Sequence, residues 1–76
     1  GRYELAERVF IEALRKSSTD EFLLFNLGRV YIDWKKWDKA IQASEKALSF
    51  RSPFPEAEKM RLFAQKQHKG SPSVSS

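Results

Sequence analysis

The sequence predicts an all-α fold of four antiparallel helices. Three observations predict it. Apolar residues recur at helical spacing in four separate segments, serine, aspartate or proline marks the breaks between them, and the breaks are only a few residues long.

Composition narrows the class before any motif is sought. The chain has 76 residues, 41% of them apolar and 32% charged, with no cysteine and one histidine, His68. A chain of this length is at most one small domain, hiding about 60–65% of its unfolded surface. A disulfide framework, a thiolate metal site and a multi-histidine site are all excluded, so no metal or cofactor is expected and the core must be packed hydrocarbon. No apolar run approaches the roughly 18 residues that span a bilayer, and the opening Gly1-Arg2-Tyr3 lacks the regions of a signal peptide. The expectation is a soluble piece of a reducing compartment, the cytoplasm. The missing initiator methionine suggests a fragment.

The first helix is expected over residues 1–16. Leu5, Ala6, Val9, Phe10, Ala13 and Leu14 make one apolar face between Arg2, Glu4, Glu7, Arg8, Glu12, Arg15 and Lys16. Ser17-Ser18-Thr19-Asp20 breaks this pattern, and Ser18 with Glu21 reads as a capping box that starts a second helix. From residue 22 to about 34, Phe22, Leu23, Leu24, Phe25, Leu27, Val30, Tyr31, Ile32 and Trp34 are too many for one face, so this helix is buried on several sides or has an apolar binding face. Asp33-Trp34-Lys35-Lys36 is the next turn. A third amphipathic helix follows over 37–50 through Ala40, Ile41, Ser44, Ala47 and Leu48. Ser52-Pro53-Phe54-Pro55 ends it and opens a fourth, because proline is tolerated in a first turn. That helix, about 56–69, has a thin apolar stripe of Ala57, Met60, Phe63 and Ala64 and a polar back. Residues 70–76 are expected to be a disordered tail.

An internal repeat relates the first helix to the third. A shift of 34 residues puts Tyr3 on Trp37, Ala6 on Ala40, Ala13 on Ala47 and Leu14 on Leu48, and also Arg2 on Lys36 and Glu4 on Asp38. Leu24-x2-Leu27-Gly28-x2-Tyr31 then matches the opening W-x2-L-G-x2-Y of the tetratricopeptide repeat with Leu for Trp, and Trp37, Ala40, Ala47 and Leu48 match its second helix. Over residues 1–54 the chain resembles that family. The resemblance implies a helix-turn-helix solenoid fragment of about one and a half repeats plus a C-terminal cap. In these terms 1–17 is the second helix of a truncated repeat, 20–54 a complete repeat and 55–69 a capping helix. Gly28 and Ala40 would let paired helices approach, while Leu27, Tyr31 and Trp37 fill the space beside them.

Three positions depart from the family pattern. Ser44 stands where a large aromatic is usual, which predicts a smaller core. Lys35 replaces a turn glycine, at about 1 kcal/mol if the turn keeps its left-handed residue. Pro53 comes one residue late. The fourth helix does not repeat the motif, since Glu58, Arg61, Leu62 and Gln65 fall where Leu24, Leu27, Gly28 and Tyr31 would recur. A polar-backed helix there suits a terminal cap.

Nothing in the sequence points to catalysis. His68 has no partner ligand or acid, the carboxylates Glu4, Glu7 and Glu12 alternate with Arg8, Arg15 and Lys16 as surface pairs, and no glycine-rich phosphate loop exists. The serines lack a nearby base. The chain is therefore expected to be no enzyme.

The resemblance implies instead a protein-interaction scaffold that binds a peptide or partner segment on its concave face. Phe22, Phe25, Asn26, Arg29, Ile32 and Asp33 fall at the positions the family uses for ligand contact. Such a surface suits a peptide with an apolar side chain and an acidic group, the aromatics giving area and Arg29 gripping a carboxylate. Phe22 and Phe25 equally fit plain packing on the first helix of a preceding repeat, which this chain lacks. A mid-repeat cut would also expose the first helix and favour self-association.

The alternative is an RNA- or anionic-surface-binding segment. Residues 51–76 carry five Lys/Arg against two Asp/Glu, out of a net charge of +4, and the first helix also resembles half-a-TPR repeats found in RNA-processing scaffolds. Trp34 beside Lys35 and Lys36 is the best local platform for a base. Interspersed charges on helices are more commonly solvated faces, so nucleic acid is the minor reading.

Overall fold

The computed structural model describes residues 1–17 and 20–69. Those residues form α1 (Arg2–Lys16), α2 (Glu21–Asp33), α3 (Trp37–Phe50) and α4 (Pro55–Lys69), with no strand among them. The expected tail at 70–76 and the Ser18 half of the capping box lie outside the described residues.

The start of α2 corrects the capping assignment. Asp20 is the N-cap, and its Oδ1 accepts from the backbone N–H of Phe22 at 2.9 Å and of Leu23 at 3.1 Å. A capping box needs its glutamate at the third helical position, whereas Glu21 is the first. Glu21 still helps through the helix dipole.

The other end of α2 is a Schellman closure. Lys36 N–H donates to Tyr31 O at 2.9 Å and Lys35 N–H to Ile32 O at 3.0 Å, with Lys35 at φ 62°. The turn therefore keeps its left-handed residue, and a lysine carries the strain that glycine would avoid.

Helix α2 is central: α1 and α3 pack on it, α4 packs mainly on α3, and α4 also touches α2. One core cluster gathers Leu27, Tyr31, Ala40, Ala43 and Ala64; the other gathers Leu24, Ala47, Phe54 and Ala57. The buried surfaces of α3 and α4 are made largely of small residues, with Ala40, Ser44 and Ala47 on one and Ala57 and Ala64 on the other fully buried. Small contact residues bring helix axes together. Ser44 is accommodated by donating its Oγ proton to Ala40 O at 2.7 Å, so its hydroxyl is not left unpaired.

The expectation for Gly28 is refined. On the α3 side the nearest atom to an added Cβ would be Ala43 Cβ at 3.5 Å, an ordinary contact, whereas on the other side the Cβ would run into Met60 of α4. Gly28 makes room chiefly for that methionine.

Two apolar stripes are partly exposed, the one on α1 in keeping with the exposure expected of the first helix. In α1, Phe10 and Leu14 pack against the core, but Leu5 and Val9 remain 61% and 57% exposed and no α1 residue is fully buried. In α4, Ala57, Met60 and Ala64 are buried while Phe63 is exposed, meeting Trp37 only edge-on with ring centroids 6.0 Å apart. Its α4 neighbours of alanine size fill the inner face, and Phe63 is displaced to the rim.

Candidate functional groove

Positions 25, 29, 32 and 33 fall at i, i+4, i+7 and i+8 on α2, and 56, 59, 60 and 63 fall at i, i+3, i+4 and i+7 on α4. These two sets face each other. Phe25, Arg29, Ile32 and Asp33 line one wall of a cavity of about 380 Å³, and Glu56, Lys59, Met60 and Phe63 line the other. The volume is that of a small ligand or a few side chains of a peptide.

The chemistry of the groove is mixed in a definite way. Met60 is buried, Phe25 and Ile32 are half-buried, and Phe63 is exposed, so apolar material runs from the floor to the rim. Arg29 and Asp33 on α2 and Glu56 and Lys59 on α4 supply charges of both signs at exposed positions. Among the described residues no ion pair joins any of these four. Their hydrogen-bonding capacity is turned toward solvent and available to a ligand.

Two of the six residues expected at the site do not line this cavity. Asn26 is exposed on α2, outside it. Phe22 sits at the N-terminal end of α2, half exposed, with its ring edge-on to Phe54 at 5.7 Å and under the Arg51 guanidinium at 5.0 Å. Phe22 thus meets the segment after α3 and stays half exposed. Phe25 serves both, lying 5.4 Å from the Phe54 ring while lining the groove.

The α4 wall was missed from sequence. Periodicity places Met60 and Phe63 in an apolar stripe of α4, and the 56, 59, 60, 63 spacing that unites the wall is readable in the sequence. What could not be read was which helix this face meets.

The basic last third is dispersed. Arg61 Nη2 pairs with Glu58 Oε2 at 2.8 Å, Arg51 lies 3.9 Å from Glu21 and over the Phe22 and Phe54 rings, and Lys59 belongs to the groove. Trp34 is half-buried. It stacks with Tyr3 at 5.7 Å and Tyr31 at 6.3 Å, and Lys36 Nζ sits 4.2 Å from its centroid, so neighbours already use the ring. No three His, Asp or Glu side chains among the described residues are grouped to hold a metal ion. No described helix is long and apolar enough to cross a membrane.

The chain is similar to the regulatory protein RapK of Bacillus subtilis (strain 168), at 47% identity over 57 residues covering 67% of this chain. It spans 15% of the length of that relative. No family model and no solved structure matches it.

Proposed function

We propose that the chain is a non-enzymatic protein-interaction module, a tetratricopeptide-type solenoid segment of antiparallel helices that holds a peptide in the groove between α2 and α4. The observation that carries this reading is the convergence of Phe25, Arg29, Ile32 and Asp33 with Glu56, Lys59, Met60 and Phe63 on one cavity. The favoured ligand has an apolar side chain for the Phe25, Ile32, Met60 and Phe63 surface. It also carries a carboxylate for Arg29 and Lys59.

The 34-residue repeat, the Schellman turn at the repeat's own turn position and the small-residue α3–α4 contact support the solenoid. Helix α4 then caps the last repeat, its Ala57 and Ala64 sharing core clusters with Ala47 and Ala40 while Lys66 stays exposed. The likeness to a protein named as regulatory supports binding a partner over catalysis. The dispersed cations make the RNA-binding alternative weaker, because counterion-driven binding needs a continuous basic surface.

Selection of peptides from a random display library against the 76-residue chain tests the reading. Enriched peptides should pair an acidic with an apolar residue, and Arg29→Glu should weaken them at least tenfold. Enriched peptides that bind Arg29→Glu as well as the parent would sink it.

A second reading is favoured by one observation, the exposure of Leu5 and Val9 one turn apart on α1. Two copies would bury these faces against each other. Sedimentation showing only monomer up to about a millimolar concentration would exclude it, at a contact whose affinity would fall below the measurable range.

A further inference from the structure

Helices α1 and α3 both lie on α2, yet none of their Cα atoms come within 8 Å of each other. The gap is a second cleft of about 390 Å³ on a part of the surface that shares no lining residue with the α2–α4 groove. Leu27 and Tyr31 of α2 form its floor, Ile11 and Leu14 of α1 one wall, and Lys39 and Lys46 of α3 the other.

Two cations and one carboxylate line this cleft, leaving it net positive. Lys39 and Lys46 are exposed, lie seven residues apart on one face of α3, and enter no ion pair among the described residues. Seven residues are two helical turns, so the two lysine backbones are spaced by about 10 Å along the wall. The carboxylate of Glu7, which also lines the cleft, is engaged by the Tyr31 hydroxyl, which donates to it at 2.6 Å. The opposite wall offers Ile11, an isoleucine 44% exposed beside half-buried Leu14.

We propose that the α1–α3 cleft docks an amphipathic helical segment of a partner protein that carries two carboxylates seven residues apart along one flank. Charge complementarity fixes this occupant. Its acidic flank faces Lys39 and Lys46, and its apolar side chains enter beside Ile11 and Leu14. A helix matches because its own i, i+7 spacing repeats that of the lysines, and because the cleft runs between two helices as a groove for a third. The cleft and the α2–α4 groove can be filled at the same time, since α2 and α3 separate them.

The test uses the full 76-residue chain and a synthetic 18-residue amphipathic peptide with leucines on one face and glutamates at i and i+7 beside it, an estimate of length from about five helical turns. Titration should show saturable binding. Binding should fall at least tenfold for the same peptide with its two glutamates moved to the opposite face. It should fall by a similar factor for the exposed-site variants Lys39→Glu/Lys46→Glu and Ile11→Asp, each checked for unchanged helicity by circular dichroism, with Lys39→Ala/Lys46→Ala as the milder companion. Arg29→Glu should bind the peptide like the parent. The proposal is overturned by any of four outcomes: no saturable binding at millimolar peptide, binding indifferent to the lysine variants, binding lost in Arg29→Glu alone, or tighter binding of a single-stranded oligonucleotide than of the peptide.

Discussion

The hydroxyl of Tyr31 on α2 donates a 2.6 Å hydrogen bond to Glu7 Oε2 on α1, the one side-chain hydrogen bond between helices among the described residues. It holds α1, which has no fully buried residue, against the centre of the fold. Burial, then the hydrogen bond to Glu7 and its charge, push the Tyr31 phenol well above its ordinary value of 10.0. A proton held more tightly in the folded state stabilises it at every pH below the unfolded value, and that contribution is lost as pH rises above about 10. Tyr31→Phe should cost about 0.5–1.5 kcal/mol at neutral pH, measured by urea unfolding, and should flatten the alkaline loss of stability. An unchanged midpoint at both pH values would mean the bond contributes nothing.

Lys35 should be replaceable with gain. Its φ of 62° costs an L-residue about 1–2 kcal/mol, of which glycine's greater unfolded freedom returns part. Lys35→Gly should therefore raise stability by about 0.5–1 kcal/mol, visible as a higher Tm. A lower Tm would show that the lysine side chain makes a compensating contact.

Asp20 caps α2 through two backbone N–H groups. Asp20→Ala should cost about 1 kcal/mol and Asp20→Asn much less, since the amide oxygen can still accept. Equal losses in both variants would assign the effect to charge at the helix N-terminus instead of to the hydrogen bonds.

Gly28 and Met60 should be coupled. An alanine at 28 gains about 1 kcal/mol of helix propensity, but the Met60 methyl, the far end of a flexible side chain, must shift to admit its Cβ, which offsets part of that gain. A double-mutant cycle of Gly28→Ala and Met60→Ala should give a coupling of at least about 0.5 kcal/mol, the methionine's removal relieving the clash. Strict additivity would place the Gly28 constraint elsewhere.

Helix positions were largely legible because periodicity and breakers are local signals. Trp37 to Phe50 was marked by its apolar spacing and by the proline after it. The cap was not, since serine and aspartate are equally good N-cap types and only where the helix starts, at Glu21, decides between them. Exposure was legible only in part. Leu5, Val9 and Phe63 stand at inward-facing spacings, but the partner surface that would bury them is a tertiary fact no spacing records. The groove divides likewise: Phe25, Arg29, Ile32 and Asp33 were legible on α2, and their α4 counterparts required knowing that α4 lies across from them.

The most direct test of the central claim is amide chemical-shift mapping of the 76-residue chain with a display-selected peptide carrying one acidic and one apolar residue. Shifts should centre on Phe25, Arg29, Ile32, Lys59 and Phe63 and should vanish in Arg29→Glu. Shifts that leave this groove unperturbed, or that survive the Arg29 substitution unchanged, would contradict it.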